Sequence, residues 1–91
     1  MTSVSVRRVD SSTDVVKRLK EAFRLHHIAF QVSLEHPDRF LCVTRAEDRS
    51  MCFRTEVEEQ SVIFFLFYGN LKHYQMVIDR VMAEIEKIEK I

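Results

Sequence analysis

Two thiols and four imidazoles are the side chains best suited to chemistry in this sequence: Cys42 and Cys52, and His26, His27, His36 and His73. The cysteines flank one predicted turn at nearly equal distances, so they could sit opposite each other on paired strands. Such a pair can close a cross-strand disulfide or stay as two buried thiols. The N-terminus has no apolar leader core, which places the chain in the cytosol or nucleus and favours reduced thiols. The histidines show no metal-ligand spacing with the cysteines, so no zinc site is expected. A Cys/His catalytic pair would need an orienting group in a concave site. Nothing resembles a nucleophile elbow, a phosphate loop or a carboxylate pair in context, and the chain has a single glycine. The sequence therefore points away from an enzyme, and no cofactor or metal is expected.

The second chemical feature is a basic set near the N-terminus: Arg7, Arg8, Lys17, Arg18, Lys20 and Arg24. The chain has 14 Lys/Arg against 14 Asp/Glu, but residues 1–30 carry six basic and three acidic side chains. A solvated helix face is the plainer reading of this set. The functional one is a site for an anionic surface, either lipid headgroups or an acidic partner. Specific nucleic-acid binding is not expected. A double-stranded-RNA module would open its last helix with a lysine cluster, and here that helix opens Leu71-Lys72-His73-Tyr74.

The elements that must position these residues can be read from periodicity. The 91 residues are 46% hydrophobic with one Pro, which fits one domain spanning 1–91, whether a whole protein or a piece of a longer one. Residues 3–9 alternate as a first strand, at an edge. Asp10-Ser11-Ser12-Thr13-Asp14 signals a helix start, with Ser11 as cap and Asp14 three residues on. Val15, Val16, Leu19, Ala22, Phe23 and His26 then follow at helical spacing, predicting a helix over about 12–26. Ile28, Phe30, Val32 and Leu34 define a half-buried strand. His36-Pro37-Asp38-Arg39 is a turn, Phe40 to Thr44 a strand, and Ala46-Glu47-Asp48-Arg49 another turn. Met51 to Val57 is the next strand. After Gly69-Asn70, Leu71, Tyr74, Ile78, Val81, Ile85 and Ile88 form the stripe of a closing helix. That stripe packs on the sheet or forms a coiled-coil seam. The order β-α-β-β-β-β-α predicts an α+β two-layer sandwich, with an antiparallel sheet and two helices on one face.

The run Val62-Ile63-Phe64-Phe65-Leu66-Phe67-Tyr68 is the most apolar stretch and reads as a strand. Alternation assigns Val62, Phe64, Leu66 and Tyr68 to the core, leaving Ile63, Phe65 and Phe67 on the second face. If the strand lies at an edge beside an open face, these three make an exposed apolar patch of the kind that marks interfaces. The alternative is cover by the N-terminal segment or by the end of the last helix.

The element order and several stretches resemble the kinase-associated domain found at the C-termini of some Ser/Thr kinases. These include the microtubule-affinity-regulating, plant salt-tolerance and checkpoint kinases, and AMP-activated kinases carry a related domain. The matching stretches are Asp14-Val15-Val16-Lys17-Arg18-Leu19, Phe40-Leu41-Cys42-Val43 and Phe53-Arg54-Thr55-Glu56-Val57, then Gly69, Tyr74 and the long closing helix. Polo-box domains are a lesser resemblance.

The resemblance implies a non-catalytic regulatory module that docks its own kinase domain, another protein or a second copy, or that binds anionic phospholipid. Lipid-binding relatives would use basic residues near the first helix, here Arg7, Arg8, Lys17 and Arg18, and a basic pair in the strand at 62–68. Phe65 and Leu66 stand at that pair's place, which moves the expectation towards protein docking. The expected interface is Ile63, Phe65 and Phe67, joined by Ile88 and Ile91. The expected location is cytoplasmic, and membrane-peripheral under the lipid reading.

Overall fold

The computed structural model describes residues 3–9, 14–46 and 49–89, and of residues 45–46, 49 and 87–89 the backbone alone. Five strands and two helices follow in the order β1 (Ser3–Arg8), α1 (Val15–Leu25), β2 (Ala29–Val32), β3 (Arg39–Ala46), β4 (Arg49–Val57), β5 (Ser61–Tyr68) and α2 (Leu71–Glu89). The strands form one antiparallel sheet in the order β1-β5-β4-β3-β2. This is the α+β architecture expected from the sequence. β1 does lie at an edge. β5 does not, because β1 returns to pair along its whole length.

Local chemistry fixes the helix ends. Asp14 caps α1, its Oδ1 accepting from the Lys17 amide at 3.2 Å. The helix thus starts at Val15, later than expected, and Ser11 lies outside the described residues. At its other end, the Ile28 amide donates to the Phe23 carbonyl and the His27 amide to that of Arg24. This is a Schellman closure, and it holds His27 at φ 57°. α2 is capped by Asn70, whose Oδ1 accepts from the His73 amide at 3.0 Å and whose carbonyl accepts from Tyr74. Before it, Gly69 turns at φ 131°.

Both helices pack on the same side of the sheet and touch each other. α1 buries Val15, Leu19, Ala22 and Phe23, and α2 buries Tyr74, Val77, Ile78, Val81, Met82 and Ile85. The sheet answers with Phe40, Cys42, Met51, Phe53, Thr55, Val62, Phe64 and Leu66. Aromatic rings knit the layers at edge-on or tilted angles: Phe23 lies 5.8 Å from Phe40 and 6.3 Å from Phe53, and Phe53 lies 6.1 Å from Tyr74. Each fully buried ring contributes roughly 2–3 kcal/mol by its apolar area, so this cluster is the thermodynamic centre of the domain. The stripe of α2 is spent on this core from Tyr74 to Ile85. Leu71, expected within the stripe, is exposed in the first turn. No described helix is long and apolar enough to cross a membrane.

Candidate protein-docking face

With both helices on one side, the opposite side of the sheet has no covering layer among the described residues. Strand register decides what that side presents. Val4 pairs with Phe65, Phe65 with Arg54, Arg54 with Leu41, and Leu41 with Gln31, so one row crosses all five strands. On one side of it runs Val6–Ile63–Glu56–Arg39. On the other runs Tyr68–Cys52–Val43–Ala29. Side chains of facing residues project to the same side of a sheet. All these residues therefore belong to the open face.

The placement of Tyr68 corrects the expectation from alternation. Between Cys52 and Phe53 the register shifts, so that Phe53 faces Leu66 while Cys52 faces Tyr68. Phe67 is the extra residue of a bulge, and beyond it the side-chain alternation is reset. Tyr68 is consequently turned from the core to the open side, where it is 67% exposed, with Phe67 at 50%. Val62, Phe64 and Leu66 are buried as expected. Ile63, Phe65 and Phe67 reach the open face, Ile63 and Phe65 half-buried by their neighbours. Val4, Val6, Leu41 and Val43 add exposed apolar area beyond the expected three. Ile88 lies in α2 and Ile91 beyond it, and both side chains are outside the described residues.

Charge on this face is concentrated at one end. The Arg54 guanidinium lies over the Phe65 ring at 4.6 Å and near that of Phe67 at 5.6 Å. Its Nε is 3.3 Å from Glu56 Oε1, and the Nε of Arg39 is 3.5 Å from the same oxygen. One carboxylate thus serves two guanidiniums. Beside them a pocket of about 460 Å³ opens between β3, β4 and the β2–β3 turn, lined by Arg39, Arg54, Leu41, Gln31, Leu34 and His36 among others. Leu34, expected in the core, is fully exposed here because β2 ends at Val32.

The basic set does not assemble on one surface. Arg7 and Arg8 point to opposite sides of β1, and Arg7 reaches Asp79 of α2 at 2.5 Å, tying the edge strand to the helix layer. Arg24 stacks over Phe30 at 5.6 Å. Lys17 is exposed on α1, with Lys20 and Arg18 half-buried.

The thiols and imidazoles are distributed just as unevenly. Cys42 faces Phe53, and Cys52 faces Val43. The two cysteines are offset by one residue and lie on opposite faces, so they are not the facing pair that the turn suggested, and both are free. Burial pushes the Cys42 thiol up to about 12, only partly offset by Thr55, whose Oγ1 lies 3.7 Å from Sγ. The fold does bring His26, His27 and His73 together, with Thr44 and Arg80, around a pocket of about 240 Å³. Spacing along the chain does not reveal this grouping, because His73 arrives from the other helix. Among the described residues, no group of three or more His, Cys, Asp or Glu is placed to hold a metal.

No protein-family model matches this sequence, and no curated protein does.

Proposed function

We propose that this chain is a non-catalytic regulatory module that docks a protein through the open face of its sheet. The observation that carries this reading is the composition of that face. Val4, Val6, Leu41, Val43, Phe67 and Tyr68 are all exposed on one continuous surface. A solvated sheet face ordinarily alternates to polar residues, and a contiguous apolar surface of this extent marks an interface. The aromatic residues and the adjoining Arg54 are the types that dominate interface energetics. The resemblance to kinase-associated domains supports a Ser/Thr kinase as the parent, with its kinase domain, a subunit or a second copy as the docked protein. The dispersal of the basic set weighs against the lipid reading, which would need those side chains on one plane.

Site-specific photo-crosslinking tests this. A benzophenone side chain at position 67 of the parent protein in cells should give one discrete protein adduct. The same group at Gln75, exposed on α2, should not. Equal, diffuse labelling from both positions would sink the reading.

A further inference from the structure

We infer that the charged end of the open face is a receptor for a carboxylate, so that the docked segment is acidic as well as apolar. This rests on the docking reading above and adds the chemistry of the partner. Arg39 and Arg54 share one of the two carboxylate oxygens of Glu56, each approaching it with its Nε. Both guanidinium side chains remain partly exposed and line the pocket beside β3. A guanidinium fork matches a carboxylate in two parallel hydrogen bonds. The seat of the Arg54 guanidinium over the Phe65 ring restricts its freedom before binding, which lowers the ordering cost.

Charge also selects among occupants. The described strand side chains on the open face are charged at Arg8, Arg39 and Arg54 against Glu56, which is 3 − 1 = +2 on a chain of zero formal charge. A second copy would bring +2 against +2, and like charges facing each other disfavour association. An acidic segment of another protein meets the opposite potential. Glu35, also on the pocket rim, is exposed in the turn and leaves the sign of the pocket positive.

The spacing sets the geometry of the ligand. Consecutive same-face rows are two residues apart, roughly 7 Å. A carboxylate seated between Arg39 and Arg54 lies over the first two rows, the second shared with Phe65 and Leu41, and puts the next stretch of the partner over Tyr68 and Val43. An amphipathic helix with a leucine stripe flanked by glutamates satisfies this, the glutamate entering the pocket and the leucines crossing the rows.

The test uses the domain itself and three blocked amphipathic peptides with the same leucine stripe, flanked by Glu, Gln or Lys. Amide shifts in two-dimensional NMR report the site and the affinity. The Glu peptide should shift residues of β3, β4 and β5 and bind at least about tenfold more tightly than its Gln twin, with the Lys twin weakest. Arg39→Gln and Arg54→Gln should each erase the preference for Glu over Gln, while the leucine stripe still shifts Tyr68 and Val43. Arg39 is exposed, so its variant stays folded and keeps the test valid if Arg54→Gln perturbs the sheet. Equal binding of the Glu and Gln peptides on the open face would overturn the carboxylate receptor and leave the docking face standing. Shifts confined to other surfaces, together with no adduct from position 67, would remove both. Displacement of the Glu peptide by millimolar inorganic phosphate would overturn the commitment to a carboxylate. A dimer in sedimentation that Tyr68→Ser dissolves would overturn the acidic partner in favour of a second copy.

Discussion

Cys42 and Cys52 stand on adjacent strands yet on opposite faces of the sheet, one sealed in the core and the other on the open side. A disulfide needs Cβ atoms about 4 Å apart and pointing at each other. The pleat forbids that here. Thiol labelling of the native domain should therefore modify Cys52 alone, with Cys42 reacting only at the rate of unfolding. Mass spectrometry of timed labelling reads this directly. Simultaneous modification of both sites, or a disulfide in the oxidised protein, would contradict the register.

The closure of α1 leads to a second prediction. His27 occupies the left-handed position of the Schellman motif, where glycine carries no Cβ penalty and other residues pay roughly 1–2 kcal/mol. Glycine gives back part of that through the greater entropy of its unfolded chain. His27→Gly should raise stability by about 0.5–1 kcal/mol in urea titrations, whereas His27→Val should lower it. A loss of stability on going to glycine would mean that the imidazole packs usefully in the pocket it shares with His26 and His73.

How far the sequence could go is visible at particular residues. Element order, the inner face of α1 and most of that of β5 are legible, because alternation and helical spacing follow directly from burying one side. Tyr68 is not, because one bulged residue at Phe67 reverses every side chain beyond it, and the bulge depends on pairing with Cys52 rather than on local sequence. Register likewise separated the cysteines, since equal distances from a turn fix facing partners only when the turn's own length is known. Leu34 and Leu71 depart from the pattern for a simpler reason: Leu34 continues a period past the end of β2, and Leu71 opens α2 in a first turn that is not yet packed on the sheet. The apolar patch was partly foreseen through Ile63, Phe65 and Phe67. The contribution of Val4 and Val6 required knowing that β1 pairs with β5.

Gly69 gives a third prediction. A Cβ at this position would lie 2.8 Å from Met51 Cγ and 3.2 Å from its Cα, and the backbone φ of 131° suits only glycine. Met51 is itself buried, so the strand backbone has little room to retreat. Gly69→Ala should cost about 2–3 kcal/mol from strain and overpacking together. Chemical denaturation with an unchanged m-value is the check, and a change below about 0.5 kcal/mol would show that the turn relaxes.

The buried ionisable groups predict an alkaline weakness. In the unfolded chain Cys42 ionises at its ordinary value of 9.0, and in the folded core only at about 12. Between those values the native state keeps a proton that the unfolded state has lost, so rising pH favours unfolding. The stabilisation is whole below pH 9 and declines as pH climbs towards 12, at no more than about 1.4 kcal/mol per pH unit. Tyr74 acts with the same sign from its ordinary value of 10.0 upward. Burial raises its phenol, and Ser5 and Arg7 on β1 offset this only in part. Between pH 9 and 10 Tyr74 contributes the smaller share and equally with or without Cys42, so the difference between wild type and a Cys42 variant isolates the thiol. Cys42→Ala should cost about 1 kcal/mol at pH 7 through the lost sulfur, yet decline less steeply than the wild type across that interval. Urea titrations of both proteins at half-unit steps of pH measure the difference in slope. Parallel slopes would mean that the Cys42 thiol ionises as readily in the fold as outside it, against its seat between Phe53 and Thr55.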